Sequence, residues 1–312
     1  MSLNPEGTGE LLDNHPFRNS LNGALVIHCL CVIGVGLIGG SLARALRRAG
    51  ACEEVLGVGR HTERLEKALD LGVIDRYDTD LGRAVSGADL VVVAVPLSAM
   101  EPLFRAMCGH LAPNAVVTDV GSAKRSVIDA ARMAFGEVPS NLVPGHPIAG
   151  TEKTGVEASF ASLFEGHRVI LTPLAHTSAV ALARVRAMWQ ATGAEVVQME
   201  PTLHDEVLAA TSHLPHVLAF TLVDVLGAMN ERAEIFHNAA GGFRDFTRIA
   251  SSDPRMWHDI CLANSDAISR VLRRFMGDLE RAAQAIEGRD GQALNALFVR
   301  AKALRDQYTK GS

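Results

Sequence analysis

The sequence predicts an α/β fold of the Rossmann type, a doubly wound parallel sheet, followed by an all-α C-terminal domain. A G-x-G-x-x-G turn begins at Gly34, between an apolar run and an amphipathic stretch. Short runs rich in Val and Ile then alternate with amphipathic stretches as far as Pro173, which is typical of a parallel sheet with helices on both faces. Beyond Pro173 the apolar spacing is mostly helical. We therefore assign residues 1–24 to a mobile extension, 25–174 to the Rossmann domain and 175–312 to the helical domain.

Each element is predicted from its pattern of apolar residues. The run that ends at Val95 is apolar at successive positions, as expected of a central strand buried on both faces, and Pro96 ends it. The predicted strands run from Leu30 to Ile33, Glu54 to Val58, Leu90 to Val95, Val116 to Asp119, Asn141 to Val143, Arg168 to Thr172 and Glu195 to Gln198. The predicted helices run from Thr177 to Ala191, Thr202 to Asn230 with a kink near Pro215, Asp253 to Ala285 and Gly291 to Gln307.

The composition indicates a globular protein that acts on a small molecule. Of the 312 residues, 48% are hydrophobic, which is enough to bury a large core. The net charge of −5 and the pI near 6.2 indicate neither a nucleic-acid partner nor a membrane surface, and glycines interrupt the apolar stretch from Ala24 to Gly40. Five cysteines without a C-x-x-C pair favour a reducing cytoplasm over disulfides, and they predict no metal site.

The glycine turn predicts a dinucleotide-binding site. Gly34 permits a tight turn, Gly36 lets the backbone approach a pyrophosphate, and Gly39 lets the helix pack on the strand. Leu37 and Ile38 begin the helix that follows. Their N–H groups supply hydrogen-bond donors and positive potential for the pyrophosphate. We expect the cofactor to lie at this turn.

The end of the second strand bears on the choice between NAD and NADP. An acidic residue there would accept hydrogen bonds from the ribose of NAD, but none is present. Arg60, with His61 and Thr62, is suited to a 2′-phosphate, so the sequence slightly favours NADP and leaves NAD open. Val95 and Pro96 end the predicted strand that begins at Leu90, where the chain would turn away from the dinucleotide.

Two further segments carry polar groups that could do chemistry. His146 lies among glycines and prolines, which predict a loop, and a histidine in such a position is a candidate proton acceptor. Ser122 follows a strand and precedes a helix, which places its hydroxyl at the carboxyl edge of the sheet. Neither residue identifies a substrate alone.

Four stretches are long enough to be specific: Gly145 to Glu157, Leu203 to Asp205, Ser212 to His216 and Asp245 to Ala250. In this order they resemble the prephenate and arogenate dehydrogenase family of tyrosine biosynthesis, and the resemblance extends from about Cys31 to beyond Trp257. The resemblance implies an oxidoreductase that transfers a hydride from the substrate ring to NAD(P) and releases carbon dioxide. The product is 4-hydroxyphenylpyruvate from prephenate, tyrosine from arogenate, or both. The resemblance also implies a homodimer formed through the helical domain.

The same resemblance implies a role for each site residue. His146 accepts the proton of the ring hydroxyl and must be neutral to do so, while Ser122 shares that hydroxyl and contacts the nicotinamide ribose. Arg248 binds a substrate carboxylate, the one on the ring, because a guanidinium offers paired donors. Four residues complete the wall of the substrate pocket, with the first two favoured for the side-chain end of the substrate: His216, Thr151, Glu152 and His213.

Arg244 departs from the pattern, because many relatives carry Lys at this position. The charge is kept, but its geometry changes, so the part that Arg244 takes in binding the substrate side chain stays open. Preference for prephenate or arogenate stays open with it.

Two other kinds of protein join a dinucleotide turn to a helical domain. A β-hydroxyacid dehydrogenase or imine reductase would rely on another catalytic residue, often a helical Lys, and would leave His146 unused. A redox sensor would bind the cofactor without turnover. Neither explains why His146, Ser122 and Arg248 occur together.

Overall fold

The computed structural model describes residues 26–309, and the predicted extension of residues 1–24 lies outside them. Six strands form a parallel sheet in the order β3-β2-β1-β4-β5-β6, which confirms the predicted doubly wound arrangement. These strands are β1 (Ile27–Ile33), β2 (Cys52–Val58), β3 (Arg76–Asp78), β4 (Leu90–Val93), β5 (Val116–Asp119) and β6 (Leu142–Val143). Only β3 has no counterpart among the predicted strands, because it is three residues long and carries two charges.

Helices connect the parallel strands. They are α1 (Leu37–Arg48), α2 (Thr62–Asp70), α3 (Leu81–Ser86), α4 (Met100–Met107) and α5 (Lys124–Phe135). Along β1, Leu30 and Val32 belong to one buried apolar cluster, whereas Cys31 and Ile33 belong to another. Successive side chains of a strand point to opposite faces, so both faces of this sheet are buried.

A second sheet has three strands in the order β7-β8-β9, namely β7 (Gly145–Pro147), β8 (Arg168–Leu171) and β9 (Glu195–Gln198). Two predictions are wrong here. The predicted strand from Arg168 to Thr172 belongs to this separate sheet, as β8, instead of extending the parallel one. His146 lies not in a loop but on β7, paired with Ile170 of β8 in antiparallel register. A strand of three residues that follows one proline and ends on another is too short for periodicity to reveal it.

The chain beyond β9 is helical, as predicted, but two of the predicted helices are interrupted. The predicted helix from Thr202 is α7 (Pro201–Leu208), a π-helical turn (Ala209–His213) and α8 (Leu214–Gly227). The π turn comes just before Pro215, whose missing N–H interrupts the helical ladder near the predicted kink. Two short helices were not predicted, α9 (Arg232–His237) and α10 (Gly241–Thr247), and a 3₁₀ turn over Arg248–Ser251 follows them.

The predicted helix from Asp253 is divided at Asn264 into α11 (Pro254–Ala263) and α12 (Ser265–Glu287). Asp253 accepts a hydrogen bond from the N–H of Arg255 at 2.8 Å and so caps α11 at the predicted start of the helix. The last helix is α13 (Gly291–Thr309). Within this region, α12 packs against α7, α8 and α11.

The chain divides into two compact units. The first contains residues up to Gly121 and Val127–Met199, and the second contains Ser122–Ser126 and residues from Glu200 on. We predicted the boundary after residue 174, but α6 (Ala179–Ala191) and β9 belong to the first unit. The reason is packing, because β9 pairs with β8 and Trp189 of α6 is buried in a cluster with the parallel sheet.

One helical stretch of the described chain, Pro201–Gly227, is long and apolar enough to cross a membrane by length and composition alone. Core helices of soluble proteins meet the same criterion, so this single stretch is weak evidence for a membrane span.

Candidate functional site

The glycine turn has the geometry that a bound pyrophosphate requires. Gly34 has a φ of +95°, and a side chain there would overlap the carbonyl oxygen of Ala94. Gly36 precedes α1, and a Cβ added to it would meet no atom within 4 Å. No side chain caps this helix and no acidic residue lies in its first turn, so its N–H groups and positive potential suit an anion. The residues present therefore fit a dinucleotide.

The other predicted cofactor residues lie at the same edge of the parallel sheet. Arg60 and His61 follow β2, Thr62 begins α2, and all three are exposed. Val95 and Pro96 follow β4. Since Val58 and Val93 both pair with Ile33 of β1, the two strands end side by side. The structure thus places these residues at the carboxyl edge, where open α/β sheets bind ligands.

A buried carboxylate lies between the segments that carry Ser122 and His146. Asp119, the last residue of β5, is only 1% exposed. Its Oδ2 accepts a hydrogen bond from the N–H of Gly121 at 2.7 Å, and its Oδ1 accepts one from the N–H of Gly145 at 3.1 Å. His146 follows directly on β7 and is itself buried.

The loop after β7 carries the predicted Thr151 and Glu152, and both are exposed. The hydroxyl of Thr151 accepts a hydrogen bond from the N–H of Lys153 at 3.2 Å. This contact shapes the loop locally, and it leaves the hydroxyl proton able to donate.

In the second unit, Asp205 caps the first turn of α5. Its carboxylate accepts hydrogen bonds from the N–H groups of Lys124 at 2.7 Å and Arg125 at 3.0 Å. Burial raises the pKa of Asp205, but the hydrogen bond from His204 and these two N–H groups outweigh it and hold the pKa below its ordinary value.

His213 and Trp257 provide two buried N–H donors. Nδ1 of His213 faces the amide of Asn264 at 3.2 Å, so we assign the proton of the neutral ring to Nε2. Burial, together with the positive charges of nearby histidines, lowers the pKa of His213 to about 4 despite the opposing charge of Asp205. Nε2 of His213 and Nε1 of Trp257 are buried and find no hydrogen-bond acceptor among residues 26–309. Such a pair of donors suits an oxygen ligand.

His216 stacks on Trp257, with ring centroids 3.6 Å apart and an interplanar angle of 20°. Its Nδ1 donates to the carbonyl of Ser212 at 2.9 Å, which leaves Nε2 as an acceptor. Burial lowers the pKa of His216, and the charge of Arg248 lowers it further, so the ring is neutral at pH 7.

Arg244 lies on α10, Arg248 opens the 3₁₀ turn, and both are exposed. The effect of Arg248 on the pKa of His216 places the guanidinium charge near that ring. The second unit therefore brings together three of the predicted substrate residues: His213, His216 and Arg248.

Four residues of these clusters were not predicted from the sequence to be functional. Trp257 was named only as a point within the resemblance, and Asn264 was not named. Asp205 lies in one of the four stretches that carry the family resemblance, and Asp119 ends the predicted strand before Ser122, but neither residue was given a role. Acidic residues at the ends of predicted elements were the available signal, because a carboxylate there can accept backbone hydrogen bonds that the element leaves unmade.

Known proteins resemble the chain over both units. Residues 42–198 match the family model "Prephenate dehydrogenase, nucleotide-binding domain", and residues 200–300 match "Prephenate dehydrogenase, dimerization domain". The chain is 40% identical to the cyclohexadienyl dehydrogenase of Zymomonas mobilis, covering 88% of this chain and 94% of that protein.

Two solved structures extend the comparison. The prephenate dehydrogenase of Aquifex aeolicus, in complex with hydroxyphenyl propionate and NAD+, has a TM-score of 0.84 and 37% identity, covering 91% of this chain and 99% of that one. The arogenate dehydrogenase of Synechocystis has a TM-score of 0.75 and 28% identity, covering 90% and 99%.

Proposed function

The chain belongs to the prephenate dehydrogenase family, and from this premise we propose that it converts prephenate, arogenate or both by NAD(P)-dependent oxidative decarboxylation. The products are 4-hydroxyphenylpyruvate and tyrosine, respectively. The observation that carries the proposal is the buried His146, joined through Asp119 to the segment that leads into Ser122, in the same unit as an open glycine turn. The two other kinds of protein considered above give His146 no part.

His146 accepts the proton of the substrate's ring hydroxyl, and the carbon that carries this hydroxyl becomes trigonal as its hydride departs. The nicotinamide, when bound, takes up that hydride. Loss of carbon dioxide from the opposite ring carbon leaves its bonding electron pair in the ring, which becomes aromatic as the oxygen takes back the proton held by His146. His146 must be neutral to act, and its burial keeps competing water away from the proton transfer.

Ser122 donates its hydroxyl proton toward the same ring oxygen or toward the nicotinamide ribose. Arg248 binds the ring carboxylate with paired N–H donors. At the side-chain end of the substrate, the neutral His213 and Trp257 offer N–H donors and His216 offers an acceptor. These groups suit a carboxylate with an adjacent keto or amino group, and Thr151, Glu152 and Arg244 supply further polar contacts.

The cofactor preference rests on Arg60. NADP is slightly favoured because Arg60, His61 and Thr62 are exposed at the end of β2 and no acidic residue stands there. NAD is the alternative, and one of the related structures is an NAD+ complex.

We also propose that two copies of the chain associate through the helical unit. Apolar side chains on α12 and α13 are more than half exposed, among them Met276, Leu279, Ile286, Phe298 and Leu304. A surface of this kind indicates a protein partner, and the matched family model describes a dimerization domain.

We propose a cytoplasmic location, because the five cysteines are all free thiols.

Four initial rates test the function: reduced-nicotinamide formation with prephenate and with arogenate, each paired with NAD and with NADP. Turnover with either substrate supports the reaction, and an Arg60→Ala variant that loses preference for NADP supports the cofactor assignment. Cofactor binding without turnover in any pairing would reject the proposed activity. A preference for NAD that Arg60→Ala does not change would reject the part assigned to Arg60.

A further inference from the structure

We propose that Asp119 is a positioning residue of this reaction, whose single buried carboxylate holds the backbone next to both Ser122 and His146. The inference rests on the proposed function. Asp119 touches no substrate atom in this assignment; it acts through the two residues that do.

The hydrogen bonds of Asp119 reach the two residues that precede the reactive side chains. Oδ2 accepts from Gly121, which directly precedes Ser122, and Oδ1 accepts from Gly145, which directly precedes His146. Both distances lie in the normal range, at 2.7 and 3.1 Å. A charged acceptor makes stronger hydrogen bonds than a carbonyl, so these bonds hold the backbone firmly.

In the described chain, β5 and β7 are not joined by the main-chain hydrogen bonds of one sheet. β5 belongs to the parallel sheet and β7 to the three-stranded sheet. The pairing of β5 with β6 ends at Thr118 and Val143, and the next residue, Pro144, has no N–H to donate. The carboxylate of Asp119 therefore joins two sheets at a point where main-chain pairing has stopped.

The two glycines allow this close approach. A Cβ at Gly121 would lie 3.0 Å from Oδ2 of Asp119 and 2.7 Å from a methyl carbon of Leu97. A Cβ at Gly145 would lie 3.1 Å from the carbonyl oxygen of Asp119. A side chain at Gly121 would crowd the carboxylate of Asp119, and one at Gly145 would crowd its carbonyl, so the two glycines and the aspartate form one arrangement.

The expected consequence of losing Asp119 is a loss of orientation. A shift of less than 1 Å in a base relative to the proton it accepts slows proton transfer strongly, whereas binding of the cofactor at the glycine turn is unaffected. Asp119→Asn is the mildest probe, because the amide keeps one acceptor oxygen and turns an NH₂ group toward the other N–H.

Asp89→Asn is a matched control. Asp89 also accepts two backbone N–H bonds, from His28 at 3.3 Å and Cys29 at 2.7 Å, and it lies at the opposite, amino end of the same parallel sheet. It accepts a further hydrogen bond from Arg184 at 3.1 Å, so Asp89→Asn measures the loss of a purely structural carboxylate. If Asp119 served stability alone, both variants would lower the melting temperature and leave kcat unchanged.

The experiment compares kcat, KM and cofactor Kd in the wild type, Asp119→Asn and Asp89→Asn. We expect Asp119→Asn to lower kcat by about 10- to 100-fold, with KM and cofactor Kd within about threefold of wild type, as for loss of orientation. Asp89→Asn should keep the wild-type kcat. A wild-type kcat in Asp119→Asn, or an equal loss of kcat in both variants, would overturn the inference.

Gly121→Ala keeps the test decisive if Asp119→Asn does not fold. It displaces the same hydrogen bond from the other side and should reproduce the loss of kcat with unchanged cofactor Kd. A wild-type kcat in folded Gly121→Ala would then count against the inference. If the wild type itself turns over neither substrate, the proposed function fails first, which is a different result from turnover that Asp119 does not influence.

Discussion

In the first unit, helices cover both faces of the parallel sheet and bury two large apolar clusters, whereas the buried apolar cluster of the second unit consists of Ala209, Ala267 and Ile268. Both units bury polar groups, but in the second unit these groups, notably Asp205, His213 and Asn264, accompany a much smaller apolar cluster. Its longest helices leave large apolar side chains exposed.

This difference separates two ways of stabilising a fold. The first unit gains its stability from its own core, which lets it hold His146 and the glycine turn rigidly. The second unit depends on a hydrogen-bonded polar cluster and, by our proposal, on a second copy of the chain. Chemistry and cofactor binding are accordingly assigned mainly to the first unit, and substrate binding and assembly to the second.

The largest expected effect concerns assembly. Leu279→Glu on α12 places a charge on a side chain that is 58% exposed, and Met133→Glu on α5 of the first unit is the control, at 61% exposed. Losing a buried Leu from each of two subunits should weaken the dimer by about 3–6 kcal/mol, or roughly 10²–10⁴-fold in Kd. Analytical ultracentrifugation over a concentration series measures this. Equal Kd values for both variants would remove α12 from the interface.

The next effect concerns the base. His146→Asn should lower kcat by roughly 10²-fold or more, because general-base catalysis contributes that much, while cofactor Kd stays unchanged. His28→Asn, a substitution at the other end of the first unit's sheet, should leave kcat at the wild-type value. Steady-state rates and cofactor titration check both. Near-normal turnover in His146→Asn would remove the assignment and with it the chemical role of the first unit.

A smaller effect is expected for the substrate carboxylate. Arg248→Ala should raise KM by about 10- to 100-fold, as for loss of a charged hydrogen bond, with a smaller change in kcat. Arg255→Ala, an exposed arginine of the same unit, is the control. Substrate saturation curves distinguish the two variants. An unchanged KM in Arg248→Ala would show that the second unit does not bind this carboxylate.

The smallest effect is a pH dependence of stability. His213 titrates at about 4 in the folded protein and near 6.5 when unfolded, so the unfolded chain binds more protons between these values. Stability should therefore fall as the pH is lowered, by about 2 kcal/mol from pH 7 to pH 5 for this residue. Urea unfolding of the wild type and His213→Gln over this range measures the difference, with His258→Gln as the control. If His213→Gln shows the same pH dependence as the wild type, His213 is not the group responsible.

Much of the candidate site followed from local patterns. The tight turn at Gly34 could be predicted from the sequence, because only glycine tolerates its φ of +95° and the close approach to Ala94. Arg60 and Pro96 lie at the same edge of the sheet, because parallel strands end at a common edge. The strand that carries His146 was missed, since a strand of three residues that follows one proline and ends on another carries no periodicity. The buried partners Asp119 and Asp205 were missed as functional groups because each acts on residues distant in sequence.

The sequence alone determined the parallel sheet, the helical second half and the family to which the chain belongs, because these depend on apolar periodicity and on short motifs whose residues are neighbours along the chain. Tertiary structure decided where the units divide, how α7 and α8 are interrupted, and which carboxylates hold the reactive segments. The physical reason is the separation along the chain of the residues that interact. Periodicity records whether a residue faces a core, but the hydrogen bond between Asp119 and Gly145 joins atoms that only folding brings together.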